Sequence, residues 1–245
     1  MEDIYSDADF YDIVNTQTND IKFLLKYAQQ TGDPILELAT GTGRIALPIL
    51  ENEFQYVGID LSPEFVDRAN TKISRFDNLD KISIGDMRAF DLQQKFNLIF
   101  IGFNSIFHLM NEDEIRSCLT CVRKHLNRNG KFIIDMFVPN PKFLFRDKNK
   151  FYPVGEYKDD NRNTIIVKEK NQYDHQTEIN HITWFAFHEG KAEPEIFNYS
   201  QFMIPPERIQ RLLKDTGFIV ENIFGDYNKN NFNKDSILQI YICRR

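Results

Sequence analysis

The sequence predicts an α/β fold: a mostly parallel sheet flanked by helices, its last strand antiparallel, with a small antiparallel sheet inserted late in the chain. Three observations carry this. Apolar runs of strand length alternate with stretches of helical periodicity from Asn19 to Val138, the pattern of βαβ units. Two strand-like segments close the chain with no helix between them. Between Pro139 and Pro205 the pattern changes to Ile-, Thr-, Phe- and Tyr-rich segments separated by short polar turns.

The elements follow in order. A first helix is expected over Asn19 to Gln30, with Ile21, Leu24, Leu25 and Ala28 on one face. "DPILEL" reads as the first core strand, a continuous apolar run of the kind buried on both faces of a parallel sheet. Helix "RIALPILEN", strand "QYVGID" and helix "SPEFVDRANTKISRF" come next, the last opened by Ser62 as N-cap and Pro63 at its first position. "KISIGD" and "FNLIFIGF" are the third and fourth strands. The helix carrying "NEDEIRSCLTCVRKHL" follows, then "GKFIIDMFV", launched by the turn "NRNG". Pro206 to Asp215 forms one more helix. "GFIVENIFG" and "SILQIYICRR" then pair antiparallel, because a short connection permits only that. In the insertion, "NTIIVKEK", "EINHITWFAFH" and "EIFNYSQFMI" are strands, divided at "NQYDHQ" and "EGKAEP". The expected division is therefore 1–140 with 205–245 as one domain and 141–204 as an inserted β subdomain.

The chain has 245 residues, 42% of them apolar, enough for a sizeable core. Its formal net charge is −6 and no Lys/Arg stripe is present, which disfavours a nucleic-acid substrate. The acidic start "MEDIYSDADFYDIV" does not have the form of a secretory signal, and no apolar run reaches the ~20 residues of a membrane-spanning helix. Three cysteines do not make a disulfide framework. Cys118 and Cys121 lie mid-helix, away from the helix N-terminus that would stabilise a thiolate, and no second Cys/His pair stands at zinc spacing. A cytoplasmic protein without membrane or nucleic-acid partners and without a bound metal is the expectation.

"ILELATGTGRIALPIL" holds the chemistry. It runs from a buried strand through a glycine turn into an apolar helix. A P-loop needs a Gly-Lys-Ser/Thr ending, and Gly43 is followed by Arg44 and Ile45, so a triphosphate is excluded. Gly41, Gly43 and Ala46 satisfy a dinucleotide fingerprint formally. However, Glu37 at the end of the first strand would repel a pyrophosphate, and it suits a ligand bearing a positive charge. Asp60 ends the second strand, where a carboxylate can accept from two ribose hydroxyls. Asp86 follows the third, where an exocyclic amine is a suitable partner. Each acid alone reads as a cap or a strand end; three at the carboxyl ends of successive strands converge on the crevice where open α/β sheets bind ligands. The ligand implied is a nucleoside with a cationic, amine-bearing tail and no phosphate, which describes S-adenosylmethionine.

These segments resemble the class I S-adenosylmethionine-dependent methyltransferases. "ELATGTGR", "VGIDLSPEFVDRA", "IGDM" and "FNLIFIGFNSIFHL" resemble that family's four motifs, in order and at matching intervals, over roughly residues 30–140 and 205–245. The resemblance implies a Rossmann-like seven-stranded sheet and a cofactor site of Glu37, Ala39, Gly41, Gly43, Arg44, Asp60, Leu61, Asp86, Met87, Phe103 and Asn104. Asn104, Ser105 and His108 fall near the transferring methyl, and His108 is the candidate base. The [DN]-P-P-[YF] signature of base and glutamine methylases is missing after the fourth strand, which further disfavours a DNA or glutamine substrate.

"YSDADFYDIV" resembles the tyrosine-bearing segment of small-molecule members such as glycine and sugar-amine N-methyltransferases. There an aromatic hydroxyl closes over the cofactor, and Tyr11 is the best match. The layout implies methyl transfer to a nitrogen or oxygen of a small metabolite, with the inserted sheet covering the substrate and offering a surface for a homodimer. A macromolecular methyltransferase and a non-catalytic cofactor-binding protein are the competing readings.

Overall fold

The computed structural model describes residues 2–76 and 82–245. In chain order its elements are β1 (Glu2–Asp3), α1 (Ala8–Val14), α2 (Asn19–Thr31), β2 (Ile35–Leu38), α3 (Ala46–Glu51), β3 (Tyr56–Asp60), α4 (Pro63–Ile73), β4 (Ile82–Ile84) and β5 (Phe96–Ile101). Then come α5 (Glu112–His125), β6 (Leu126–Phe137), α6 (Pro141–Leu144), β7 (Tyr152–Lys158), β8 (Thr164–Asp174), β9 (Ile179–His188), β10 (Glu195–Phe202), α7 (Pro206–Asp215), β11 (Ile219–Phe224) and β12 (Leu238–Arg244). Lys81, expected in the third core strand, lies outside the described residues.

The chain divides into two compact units, Gln17–Val138 with Ile204–Arg245, and Met1–Thr16 with Pro139–Met203. The N-terminal segment thus groups with the insertion, a different boundary from the one expected.

In the larger unit, the described strands form a seven-stranded sheet of order β11-β12-β6-β5-β2-β3-β4. β2 pairs parallel with both β3 and β5, while β12 is antiparallel to β6 and β11, as the short final connection requires. All four residues of β2 are buried, as a central parallel strand demands. The helices are built as the sequence indicates: Ser62 Oγ accepts from the Phe65 N–H at 3.2 Å to cap α4, with Pro63 in its first turn. One face of α2 places Phe23, Leu24, Tyr27 and Ala28 in a core shared with Ile35, Ile49, Leu98 and Ile133. The expected turn at "NRNG" is instead absorbed into β6. Phe96 opposes Leu126 and Leu98 opposes Lys131, so residues 127–130 stand as an irregularity in the ladder. Cys118, fully buried in α5, has its thiol pushed up by desolvation, the opposite of a reactive thiolate.

In the smaller unit, β7 to β10 form an antiparallel sheet, and β1 adds in parallel at the β10 edge. One sheet face is apolar at one end, where Ile165, Val167, Ala186 and Phe197 pack with Ile4, Phe10 and Val14. Phe10 stacks on Phe197 at 4.3 Å between ring centroids. Asp7 caps α1 by accepting from the Phe10 N–H at 2.8 Å.

Candidate functional site

The order of the larger sheet reverses between β2 and β5, since β3 and β4 run out one way and β6 the other. That reversal is where open α/β sheets bind ligands, at their carboxyl ends. β2, β3, β4 and β5 end at Leu38, Asp60, Ile84 and Ile101, so all four motifs converge there.

The turn after β2 is held open by its backbone. Ala39, Gly41 and Gly43 adopt positive φ (57°, 60° and 80°). A Cβ on Gly43 would stand 3.1 Å from the Ala69 Cβ, so this glycine lets the turn lie directly against α4. Across the reversal the Gly41 N–H donates to Asp60 Oδ2 at 2.7 Å, and the Ser62 N–H donates to Oδ1 at 2.9 Å. The Leu61 N–H also bonds this carboxylate, which with about four lone-pair sites still keeps acceptor capacity. Burial raises the Asp60 carboxyl above its ordinary range, opposed by these backbone N–H groups. Beside it Leu61 is 65% exposed, an apolar side chain held out at the rim.

Glu37 lies lower than expected. It is buried at 3% exposure, its carboxylate accepts from the Tyr56 hydroxyl, and burial pushes its pKa up to about 8. Arg44 is pinned: Nη1 and Nη2 grip Asp20 at 2.8 and 2.6 Å, Nη1 donates to the Gln17 carbonyl, and the guanidinium lies 4.9 Å from the Phe103 ring centroid. It ties the glycine turn to the start of α2 and to the turn after β5.

Asp86 is engaged by its neighbour. Arg88 grips both carboxylate oxygens and also meets Glu114 at 3.0 Å, which holds the Asp86 carboxyl below its usual range. Met87 is half-buried between them.

After β5, Phe103 and Asn104 take left-handed conformations, φ 53° and 66°. Asp135, inside β6 and 3% exposed, fixes them: its Oδ1 accepts from the Phe103 N–H at 2.7 Å and its carbonyl from the Asn104 N–H at 3.3 Å. Asn104 Oδ1 in turn accepts from the Phe137 N–H at 2.7 Å. Burial pushes Asp135 up to about 7, and Tyr227 hydrogen-bonds it. His108 ends the 3-10 turn Ser105–His108, half-buried.

Tyr11 belongs to the other unit, in α1, where its ring stands 6.1 Å from that of Tyr5. Glu37, Ala39, Gly41, Gly43, Arg44, Asp60, Leu61, Asp86, Met87, Phe103, Asn104 and His108 all lie in the larger unit. Sequence reasoning missed Asp20, Tyr56, Arg88, Asp135 and Tyr227. For Asp135 a signal existed: an acid inside the apolar run "KFIIDMFV" must be held by partners. Among the described residues, no group of three or more His, Cys, Asp or Glu is placed to hold a metal ion, and no helix is long and apolar enough to cross a membrane.

Residues 35–130 match the family model described as "Methyltransferase domain". A glycine/sarcosine N-methyltransferase of Aphanothece halophytica is 22% identical over 231 residues, which cover 91% of this chain and 81% of that one. The CcbJ methyltransferase from Streptomyces caelestis superposes with a TM-score of 0.85 at 23% identity, over 100% of this chain and 98% of that one. The sugar N-methyltransferase KedS8 from Streptoalloteichus sp ATCC 53650 superposes at 0.72 and 16% identity, over 96% and 92%. The structural likenesses extend the fold over nearly the whole length of the chain. Residues 35–130 thus match a methyltransferase domain, within a chain that has the Rossmann-like fold of these solved methyltransferases.

Proposed function

We propose that this methyltransferase transfers the methyl group of S-adenosylmethionine to the nitrogen of a small amine-bearing metabolite by in-line displacement. The observation that carries the cofactor half is Asp60, a largely buried carboxylate held at the sheet reversal by the backbone N–H groups of Gly41, Leu61 and Ser62. Asp60 would take the ribose hydroxyls, Leu61 and Met87 would flank the base, and Asp86, held by Arg88, would accept from its exocyclic amine. The turn Ala39–Gly41–Gly43, with Glu37 beneath it and Arg44 bracing it, would hold the amino-acid end. Phe103 and Asn104 would border the sulfur. The donor set fits this cofactor: acids and backbone, with no phosphate-binding lysine.

Bound there, the cofactor supplies a methyl group made electrophilic by its sulfonium. The chain's own task is then alignment and exclusion of water. An amine attacks only when neutral, so His108 would take a proton from the bound ammonium before the transfer. Tyr11 is proposed to close over the cofactor on the strength of the sequence resemblance. The preference for nitrogen over oxygen is supported by the relatives, since the glycine/sarcosine and sugar enzymes are both named N-methyltransferases. A small acceptor is supported by the net charge of −6. Acceptor choice is assigned to the inserted unit, because every cofactor-motif residue except Tyr11 lies in the other. A homodimer through the inserted sheet belongs to the same reading, supported by Phe151 and Ile166, which are 46% and 43% exposed.

The test is transfer of label from methyl-labelled S-adenosylmethionine into a metabolite extract. Label in a low-molecular-weight amine supports the reading. Label only in tRNA or protein, or binding without transfer, overturns it.

A further inference from the structure

A buried acid and two left-handed residues meet at the turn that leaves β5. Phe103 holds a φ of 53°, which a bulky side chain disfavours, and Asn104 follows it at 66°. Such backbone persists only where its surroundings over-determine it. Here they do. The Phe103 N–H donates to Asp135 Oδ1 at 2.7 Å, and the Asn104 N–H donates to the Asp135 carbonyl at 3.3 Å. The Phe103 ring is held separately. The Arg44 guanidinium lies 4.9 Å from its centroid, and Asp20 grips that guanidinium at two points.

Stability alone does not ask for this arrangement. Asp135 stands between Ile134 and Met136, both fully buried, in a strand whose interior positions call for apolar side chains. A carboxylate there must be given partners, and one of them comes from far along the chain. The connection between β11 and β12, residues 225–237, brings Tyr227 back so that its hydroxyl donates to the Asp135 carboxylate. The Tyr227 ring stands 5.8 Å from that of Phe23 on α2, and Lys229 Nζ lies 4.4 Å from the Tyr27 ring centroid on the same helix. The connection is itself fixed. Asp226 Oδ1 accepts from the N–H groups of Asn228 and Asn230 at 2.9 and 3.1 Å, and the Gly225 N–H donates to the Asn230 carbonyl at 2.8 Å. Asp20 on α2 and Arg44 in the turn after β2 are the charged side chains that act on the Asp135 carboxylate.

We infer that Asp135 and Tyr227 are positioning residues for methyl transfer: acting through the Phe103–Asn104 turn, they set where the transferring methyl stands. This rests on the reading that S-adenosylmethionine lies with its sulfur beside that turn. In-line displacement tolerates little misalignment, and a misplacement of about 1 Å costs about a hundredfold in rate. A turn fixed at its backbone by Asp135 and at its ring by Arg44 supplies that constancy. Tyr227 in turn fixes the carboxylate, so the connection 225–237 serves the site from outside its strand ends.

The test reads the methyl group itself and needs no acceptor. The full-length protein is loaded with S-adenosylmethionine carrying a carbon-13 methyl, and the bound methyl signal is located by proton–carbon correlation NMR. Tm and calorimetric affinity for S-adenosylhomocysteine are measured on the same proteins. Asp135→Ala is expected to move the bound methyl signal by more than its linewidth, while S-adenosylhomocysteine affinity stays within roughly tenfold. Should Asp135→Ala fail to fold, Tyr227→Phe, which removes only a hydroxyl and keeps the ring beside Phe23, is expected to move the signal as well. Val122→Ala is the control. It is buried in α5, one turn before the chain enters β6 at the end remote from the site, so it lowers Tm and leaves the signal in place.

A signal that stays in place in a folded Asp135→Ala or Tyr227→Phe overturns the assignment, whatever the Tm. So does a shift of equal size in Val122→Ala, or an affinity loss beyond roughly tenfold in a folded Asp135→Ala, which would make Asp135 a binding residue. A wild-type protein that binds neither S-adenosylmethionine nor S-adenosylhomocysteine overturns the cofactor reading, and this assignment with it.

Discussion

The Gly41 N–H donates to the Asp60 carboxylate at 2.7 Å, joining the glycine turn after β2 to the end of β3 across the sheet reversal. One acid therefore shapes the cofactor turn and retains lone pairs for a ligand. Asp60→Ala should weaken S-adenosylhomocysteine binding by at least a hundredfold, about 3 kcal/mol, through lost ribose hydrogen bonds. Asp67→Ala, exposed on α4, should leave it unchanged. Calorimetry on folded variants decides; equal affinities for the two would remove Asp60 from the site.

Gly43→Ala combines a left-handed φ of 80° with a Cβ 3.1 Å from the Ala69 Cβ. The strain should cost about 1–2 kcal/mol, read as a Tm lower by several degrees. A Tm within a degree or so of wild type would mean that the turn can shift away from α4.

The path from sequence to fold was direct where periodicity is clean. α2, α7 and the strands of the larger sheet fell where their apolar patterns put them, except that β6 begins earlier, at Leu126, through the expected turn. β7 was not legible, because "YPVGEYK" holds Pro153 and Gly155. It forms all the same as the edge strand of its sheet, where proline is tolerated. β1, two residues long, offers no pattern at all. The acids at the strand ends were legible because each sits at a strand terminus. Their partners were not, since Tyr56, Arg88 and Tyr227 look like any aromatic or surface charge until the fold places them against Glu37, Asp86 and Asp135.

Asp20 is buried, and it holds Arg44 in a two-point grip. Asp20→Ala leaves a largely buried guanidinium without its counter-charge and should destabilise the protein by about 3 kcal/mol or more. Chemical denaturation measures this. A loss below about 1 kcal/mol would show the pair to be no stronger than a surface ion pair.

Stability should fall as pH rises through neutrality. Glu37 and Asp135 are pushed up to about 8 and about 7 by burial, well above ordinary carboxylates. An acid with a raised folded pKa favours folding when protonated. Its contribution is complete below the unfolded carboxylate range and is lost as pH climbs through those two values. The Tm of the ligand-free protein should therefore drop between about pH 5 and about pH 9, with each kcal/mol worth about 3 °C. Glu37→Gln should flatten the drop. A wild-type Tm that rises over this window contradicts the account.

His108→Ala should lower the rate of methyl transfer at least about tenfold while leaving S-adenosylhomocysteine affinity unchanged. Steady-state kinetics beside calorimetry separate the two effects. An undiminished kcat would make His108 a packing residue of its 3-10 turn.

The most direct measurement is to supply S-adenosylmethionine carrying a carbon-13 methyl group with a low-molecular-weight metabolite extract and to locate the label in the products by NMR. The account predicts an N-methyl carbon, formed only with the active protein and lost in Asp60→Ala. An O-methyl product, or no labelled product from a protein that binds S-adenosylhomocysteine, would contradict it.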